Sequence, residues 1–145
     1  MNQNPLHRTL WTIWASMIFS IAIYGVISRV AVPQQNRQPI SEALKEPVVL
    51  VLYAVAVLSF LMGIWIPRML VKTSQPGLMP DASLTPRLMP AFIVQFAIFE
   101  SIAIYGLLAA FLQQDWRLFM GPAALSVAGF LIAAPTAERI RNIAG

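Results

Sequence analysis

Long apolar stretches alternate along this chain with shorter polar ones. Four stretches carry almost no charge, at residues 10–27, 48–66, 91–112 and 118–134. A helix needs roughly 20 apolar residues to cross about 30 Å of hydrocarbon. The first three stretches approach or meet that length, and the fourth is the shortest. The pattern predicts an all-α membrane protein with four transmembrane helices, forming a single integral membrane domain over residues 1–145. Pro67 and Pro135 mark expected ends of the second and fourth helices, since proline cannot continue the helical ladder. Pro47 and Pro90 mark expected starts, where a missing N–H costs nothing. Trp11, Trp14, Trp65 and Trp116 fall near the ends of the stretches, as an interfacial aromatic belt requires.

The connections differ in kind. Residues 28–47 and 68–89 are polar and proline-rich, with a turn signal in Gln75-Pro76-Gly77. Residues 41–46, SEALKE, suit one helical turn at the surface. The link at 113–117 is short, so the third and fourth helices should form an antiparallel hairpin.

One phrase is written twice. Ser20-Ile21-Ala22-Ile23-Tyr24-Gly25 recurs 81 positions later as Ser101-Ile102-Ala103-Ile104-Tyr105-Gly106. The copies lie at corresponding places in the first and third helices. The second and fourth helices both end at a proline. This reads as two duplicated helical hairpins entering from the same side, hence a parallel repeat rather than an inverted one.

Within the first copy, Thr12, Ser16, Ser20, Tyr24 and Ser28 recur every four residues and form a slowly winding polar stripe. Ala97, Ser101 and Tyr105 occupy the equivalent stripe of the third helix. In lipid, small residues and inter-helix hydrogen bonds supply helix association. Ser16, Ser20, Tyr24, Gly25, Ala97 and Gly106 are therefore expected to pack helices together. Glu100 is different in kind. It stands where the first copy has Phe19, near the middle of its helix. A bare charge there costs at least about 2.5–3.5 kcal/mol. The carboxyl should stay protonated unless a cation or water meets it. It is either a structural hydrogen-bonding acid or an ion-binding group, with Ser101 and Tyr105 beside it. Gln95 lies on a different face and is no obvious local partner. Tyr24 or Ser20 of the other copy could serve as one.

Composition narrows the function. Only 11% of residues are charged, against about 25% in a soluble domain. There are no cysteines and a single histidine, His7. No catalytic constellation, cofactor motif or metal-ligand set can be read, so neither an enzyme nor a cofactor is expected. The net charge of +4 is spread singly among the connections, without the basic stripe that nucleic-acid binding requires. Arg8 precedes the first stretch as in a signal peptide. However, the stretch is long, and the repeat makes it an integral part of the fold. With four crossings the side of the termini collects Arg8, Arg68, Lys72, Arg87, Arg139 and Arg141, against Arg29, Arg37, Lys45 and Arg117 opposite. The imbalance favours cytoplasmic termini.

The segment FESIAIYGLLAAF, residues 99–111, resembles the carboxylate helix of rotary-ATPase proteolipids, the c subunits, especially their duplicated V-type form. That resemblance implies an ion-binding role for Glu100, with Tyr105-Gly106 as its neighbours in the motif, in a ring that carries protons or sodium. It covers about a dozen residues per copy. The motif falls on the first helix of its hairpin, whereas proteolipids carry it on the second. Residues 48–66 also lack the glycine run of their inner helix. Three functions follow as expectations. The first is a non-catalytic subunit or accessory component of a larger membrane complex, with membrane-protein partners or copies of itself. The second is a proteolipid-like proton or cation carrier using Glu100. The third is a small transporter or channel-like protein.

Overall fold

The computed structural model describes residues 5–32, 39–73, 85–136 and 138–139. Its elements are all helical: α1 (Pro5–Ala31), α2 (Ile40–Ala43), α3 (Pro47–Thr73), α4 (Thr85–Gln113) and α5 (Arg117–Ile132). Three are long and apolar enough to cross a membrane, over His7–Ala31, Pro47–Ile66 and Met89–Gln113. This corrects the expectation of four such helices. α5 has only 16 residues, about 24 Å at 1.5 Å per residue. An all-α integral membrane protein is what these helices define. The expected turn at 75–77, and Arg37 and Arg141 of the charge count, lie outside the described residues.

α4 is the central helix. Of the residues in its apolar stretch 44% are buried, against 11% for α1 and 17% for α3. Phe92, Phe96, Phe99, Ala103 and Ala110 are buried, as is Gly106. Their alternating spacings of four and three keep them on one face of a helix. α3 and α5 both pack on α4, and α1 packs on α4 and α5. The expected first hairpin does not form, because α1 and α3 have at most a marginal contact with α4 standing between them. The short link does give the expected α4–α5 hairpin. Phe99 fills a slot between two helices: a Cβ on Gly63 of α3 would stand 2.6 Å from its ring, and one on Gly129 of α5 would also clash with it. α4 and α5 approach just as closely at Gly106, where a Cβ would meet Pro122 at 2.7 Å.

Two expected helix boundaries are corrected. Pro67 does not close α3, which continues to Thr73, and Pro90 lies inside α4 rather than at its start. A proline withholds the N–H that would bond the carbonyl four residues earlier. A helix survives this in lipid when a neighbour satisfies the freed carbonyl. For Pro67 that carbonyl is Gly63 O, and the buried Gln95 of α4 donates its Nε2 to it at 2.8 Å. Pro122 inside α5 follows the same rule. Its freed carbonyl is Leu118 O, which accepts the Tyr53 hydroxyl of α3 at 2.6 Å. The end of α5 is closed similarly, by Trp14 Nε1 of α1 donating to Phe130 O at 2.8 Å. SEALKE contributes the single turn α2, exposed except for Ala43.

The α4–α5 turn is tight. The amides of Gln114 and Asp115 return to Phe111 O and Ala110 O at 3.3 and 3.0 Å, a Schellman ending. It requires a left-handed residue, here Gln114 with φ 53°. Asp115 then caps α5, accepting the Arg117 amide at 3.0 Å, and pairs with the Arg117 guanidinium at 2.7 Å. The guanidinium holds the Asp115 carboxyl below its ordinary value, against an opposing contribution from burial.

Candidate functional site

The first copy of the repeated phrase meets Glu100, the residue just before the second copy. The Ser20 hydroxyl lies 2.6 Å from Glu100 Oε1, and the Tyr24 hydroxyl donates to the same oxygen at 3.1 Å. Both come from the first copy, on α1. Glu100 projects from the middle of the 29-residue α4 and is half-buried at the α1–α4 seam. Ser20 and Tyr24 sit four residues apart, one turn of α1, so their side chains stack along the seam.

A hydrogen count limits how these contacts can be made. The Ser20 hydroxyl also donates to Met17 O at 2.7 Å. It has one hydrogen, and a carbonyl has none. If Glu100 is protonated, its own O–H donates to Ser20, Ser20 donates to Met17 O, and Tyr24 donates to Glu100. All three contacts are then satisfied. If Glu100 is ionised, Ser20 must turn to the carboxylate and release Met17 O.

The second copy is used differently. Ser101 donates to Ile98 O of its own helix at 2.7 Å. Tyr105 is half-buried and packs on the main core. Neither reaches Glu100 through a described hydrogen bond. Gly106 makes the close approach to α5, whereas a Cβ on Gly25 would meet only the Phe119 ring, at an ordinary 3.5 Å. Phe19, the counterpart of Glu100, is 67% exposed. Ala97 and Ser16 are exposed as well. The stripe of α1 explains the difference. Steps of four residues advance about 40° beyond a full turn, so the line from Thr12 to Ser28 winds from the outside of the bundle to its inside. Thr12 and Ser16 are exposed, Ser20 and Tyr24 half-buried, and Ser28 buried.

A second polar group lies nearer the termini. Gln95, which closes Gly63 O, accepts Arg139 Nη2 on its Oε1 at 3.0 Å. The guanidinium also stands 5.9 Å from the Phe92 ring centre. Sequence reasoning missed Gln95, Tyr53 and Trp14 as cross-links. The signal for the first two was present: each answers a carbonyl four residues before a proline. Among the described residues no group of three or more His, Asp or Glu converges to hold a metal. Comparison of the chain with family models, curated proteins and solved structures gives no match.

Proposed function

We propose that this protein is a non-catalytic subunit or accessory component of a larger membrane complex, held to its partner through the outer face of α1. The observation that carries this reading is the uncovered stripe Thr12, Ser16, Phe19 and Ile23, all exposed. At about 100° per residue the four fall within roughly 60° of one another, opposite the face that carries Ser28. Two short hydroxyl residues beside a projecting phenyl ring give a neighbouring helix both close approach and a knob to pack around. α5 packs beside the three long helices: its last turn meets Trp14 of α1, and Arg139 reaches Gln95 of α4.

The absence of cysteine gives a clean test. Phe19→Cys, with Leu58→Cys on the exposed face of α3 as control, is treated with a bifunctional maleimide or photo-cross-linker in native membranes. Cross-linking to a defined protein from position 19 alone supports the reading. No adduct at 19, together with a native mass equal to one chain, refutes it.

A second reading rests on Glu100, a half-buried carboxyl in mid-helix whose Oε1 is met by two hydroxyls of α1. The proteolipid resemblance would make it an ion carrier. Carbodiimide labelling of Glu100 across pH, with Glu100→Gln as control, tests accessibility. Proton flux in liposomes that survives Glu100→Gln would sink the carrier role.

A further inference from the structure

One side of α4 is covered by no other described element. α5 packs on the side that carries Phe99 and Gly106, α1 meets Glu100, and α3 meets Gln95. α1 and α3 have at most a marginal contact, so the side of α4 opposite α5 stays open between them. Ala97, Ile104 and Leu108 are exposed there and fall within about 40° of one another. Glu100 lies about 60° to one side of Ala97, and Tyr105 about 80° to the other.

Each flank of this face carries an unused polar atom. Glu100 Oε1 takes both hydroxyls of α1. Oε2 makes no hydrogen bond to the described residues and reaches the surface of the bundle. Whether the carboxyl is ionised or gives its hydrogen to Ser20 from Oε1, Oε2 can only accept. The Tyr105 hydroxyl also makes no hydrogen bond to the described residues, so it has a hydrogen to give. The Ser101 hydroxyl has spent its own on Ile98 O. Tyr105 cannot serve Glu100 of its own chain, being about 140° around the helix and about 7.5 Å along it. Hydrocarbon supplies neither a donor nor an acceptor.

We infer that a second copy of this chain packs on the open face of α4 in two-fold symmetry, with Tyr105 of each copy donating to Glu100 Oε2 of the other. A two-fold axis along the membrane normal keeps the two α4 helices at one depth. It also sets the Glu100 flank of each copy against the Tyr105 flank of its mate, so the face is self-complementary. α1 demonstrates the reach: Tyr24, which holds the same place in the repeated phrase as Tyr105, donates to Glu100 Oε1 from a neighbouring helix. Ala97, at the centre of the face, lets the two backbones approach. The phrase then serves both oxygens of one carboxyl, once within the chain and once from the second copy. The inference does not rest on the assembly proposed above, which uses the outer face of α1.

The test uses the purified full chain in nanodiscs, where native mass spectrometry should find two chains. A mass of one chain, or of more than two, overturns the inference. Ala97→Cys, near the axis, should give a disulfide-linked dimer under mild oxidation in native membranes, and Leu58→Cys on α3 should not. Equal cross-linking at the two positions overturns it, as does capture of a foreign protein from position 97 in place of a second copy. Tyr105→Phe keeps the ring that packs on the core and removes only the hydroxyl. It should weaken dimerisation about eightfold, the effect of two hydrogen bonds of average strength in a membrane. In a Glu100→Ala background the same change should have no further effect. An unchanged dimer in Tyr105→Phe, or an equal loss in both backgrounds, refutes the bond. None of these outcomes bears on a cross-link from position 19, so failure here leaves the accessory-subunit reading to its own test.

Discussion

The bond between Gln95 and Gly63 can be tested by restoring what Pro67 lacks. In the native chain, Gln95→Leu leaves Gly63 O, a buried carbonyl, without its side-chain donor. An unsatisfied buried group costs about 1–3 kcal/mol. Gln95→Leu also removes the acceptor of Arg139, so the single change mixes two losses. Pro67→Ala separates them. Alanine supplies the N–H that a regular helix aims at Gly63 O, and the carbonyl then no longer depends on α4. Loss of the Arg139 contact is common to both backgrounds and cancels in the double-mutant cycle. What remains is the coupling between the proline and the glutamine. Inter-helix hydrogen bonds in membranes average about 0.6 kcal/mol and reach about 1.7. The full burial of Gln95 (0% exposed) and its 2.8 Å bond place this one in the upper part of that range, near 1 kcal/mol. The assay is reversible unfolding of the four proteins in bicelles, followed by steric trapping or by α3–α4 distance. Gln95→Leu should cost about 1 kcal/mol less in the Pro67→Ala background than in the native one. Equal cost in both backgrounds would refute the claim that Gln95 stands in for the missing N–H.

Other expectations follow from the same coordinates. Gly106→Ala forces a Cβ against Pro122 and should destabilise by about 1–3 kcal/mol. Gly25→Ala, the same change in the other copy, should be within about 0.5 kcal/mol of neutral or slightly stabilising, as read by thermal unfolding of each variant. Gln114→Gly relieves a left-handed residue without a branched contact and should raise stability by about 1 kcal/mol. Asp115 has a lowered folded-state pKa, so its stabilising contribution is complete above its ordinary value of 3.8 and lost as pH falls through the depressed value. Unfolding midpoints from pH 7 downward should therefore hold until below about pH 4 and then fall, and Asp115→Asn should lack that acid limb.

Hydropathy made the cores of three helices legible, because a membrane span leaves an unbroken apolar signature. Their ends were less so. Proline reads locally as a stop, and the donors that let α3 and α5 continue through it lie 32 and 65 residues away in sequence. Glu100 stood out as the lone charged group of the apolar stretch 91–112, and Ser20 and Tyr24 were reachable as partners from the repeat. The asymmetry of the two copies was not legible. Identical residues face different neighbours because α4 is surrounded on several sides and α1 is not. The expected pairing of α1 with α3 failed for the same reason. Chain order alone does not say which helix will occupy the centre.

The two carbonyls released by proline also order the birth of the protein in the membrane. α3 leaves the ribosome before α4, so Gly63 O enters the bilayer ahead of Gln95. Until then α3 is an unfinished segment, suited to remain beside the insertion machinery or a chaperone. α5 has the opposite history. When Leu118 O arrives, Tyr53 is already in place to receive it. The last helix can dock as it emerges, whereas the third must wait for its successor.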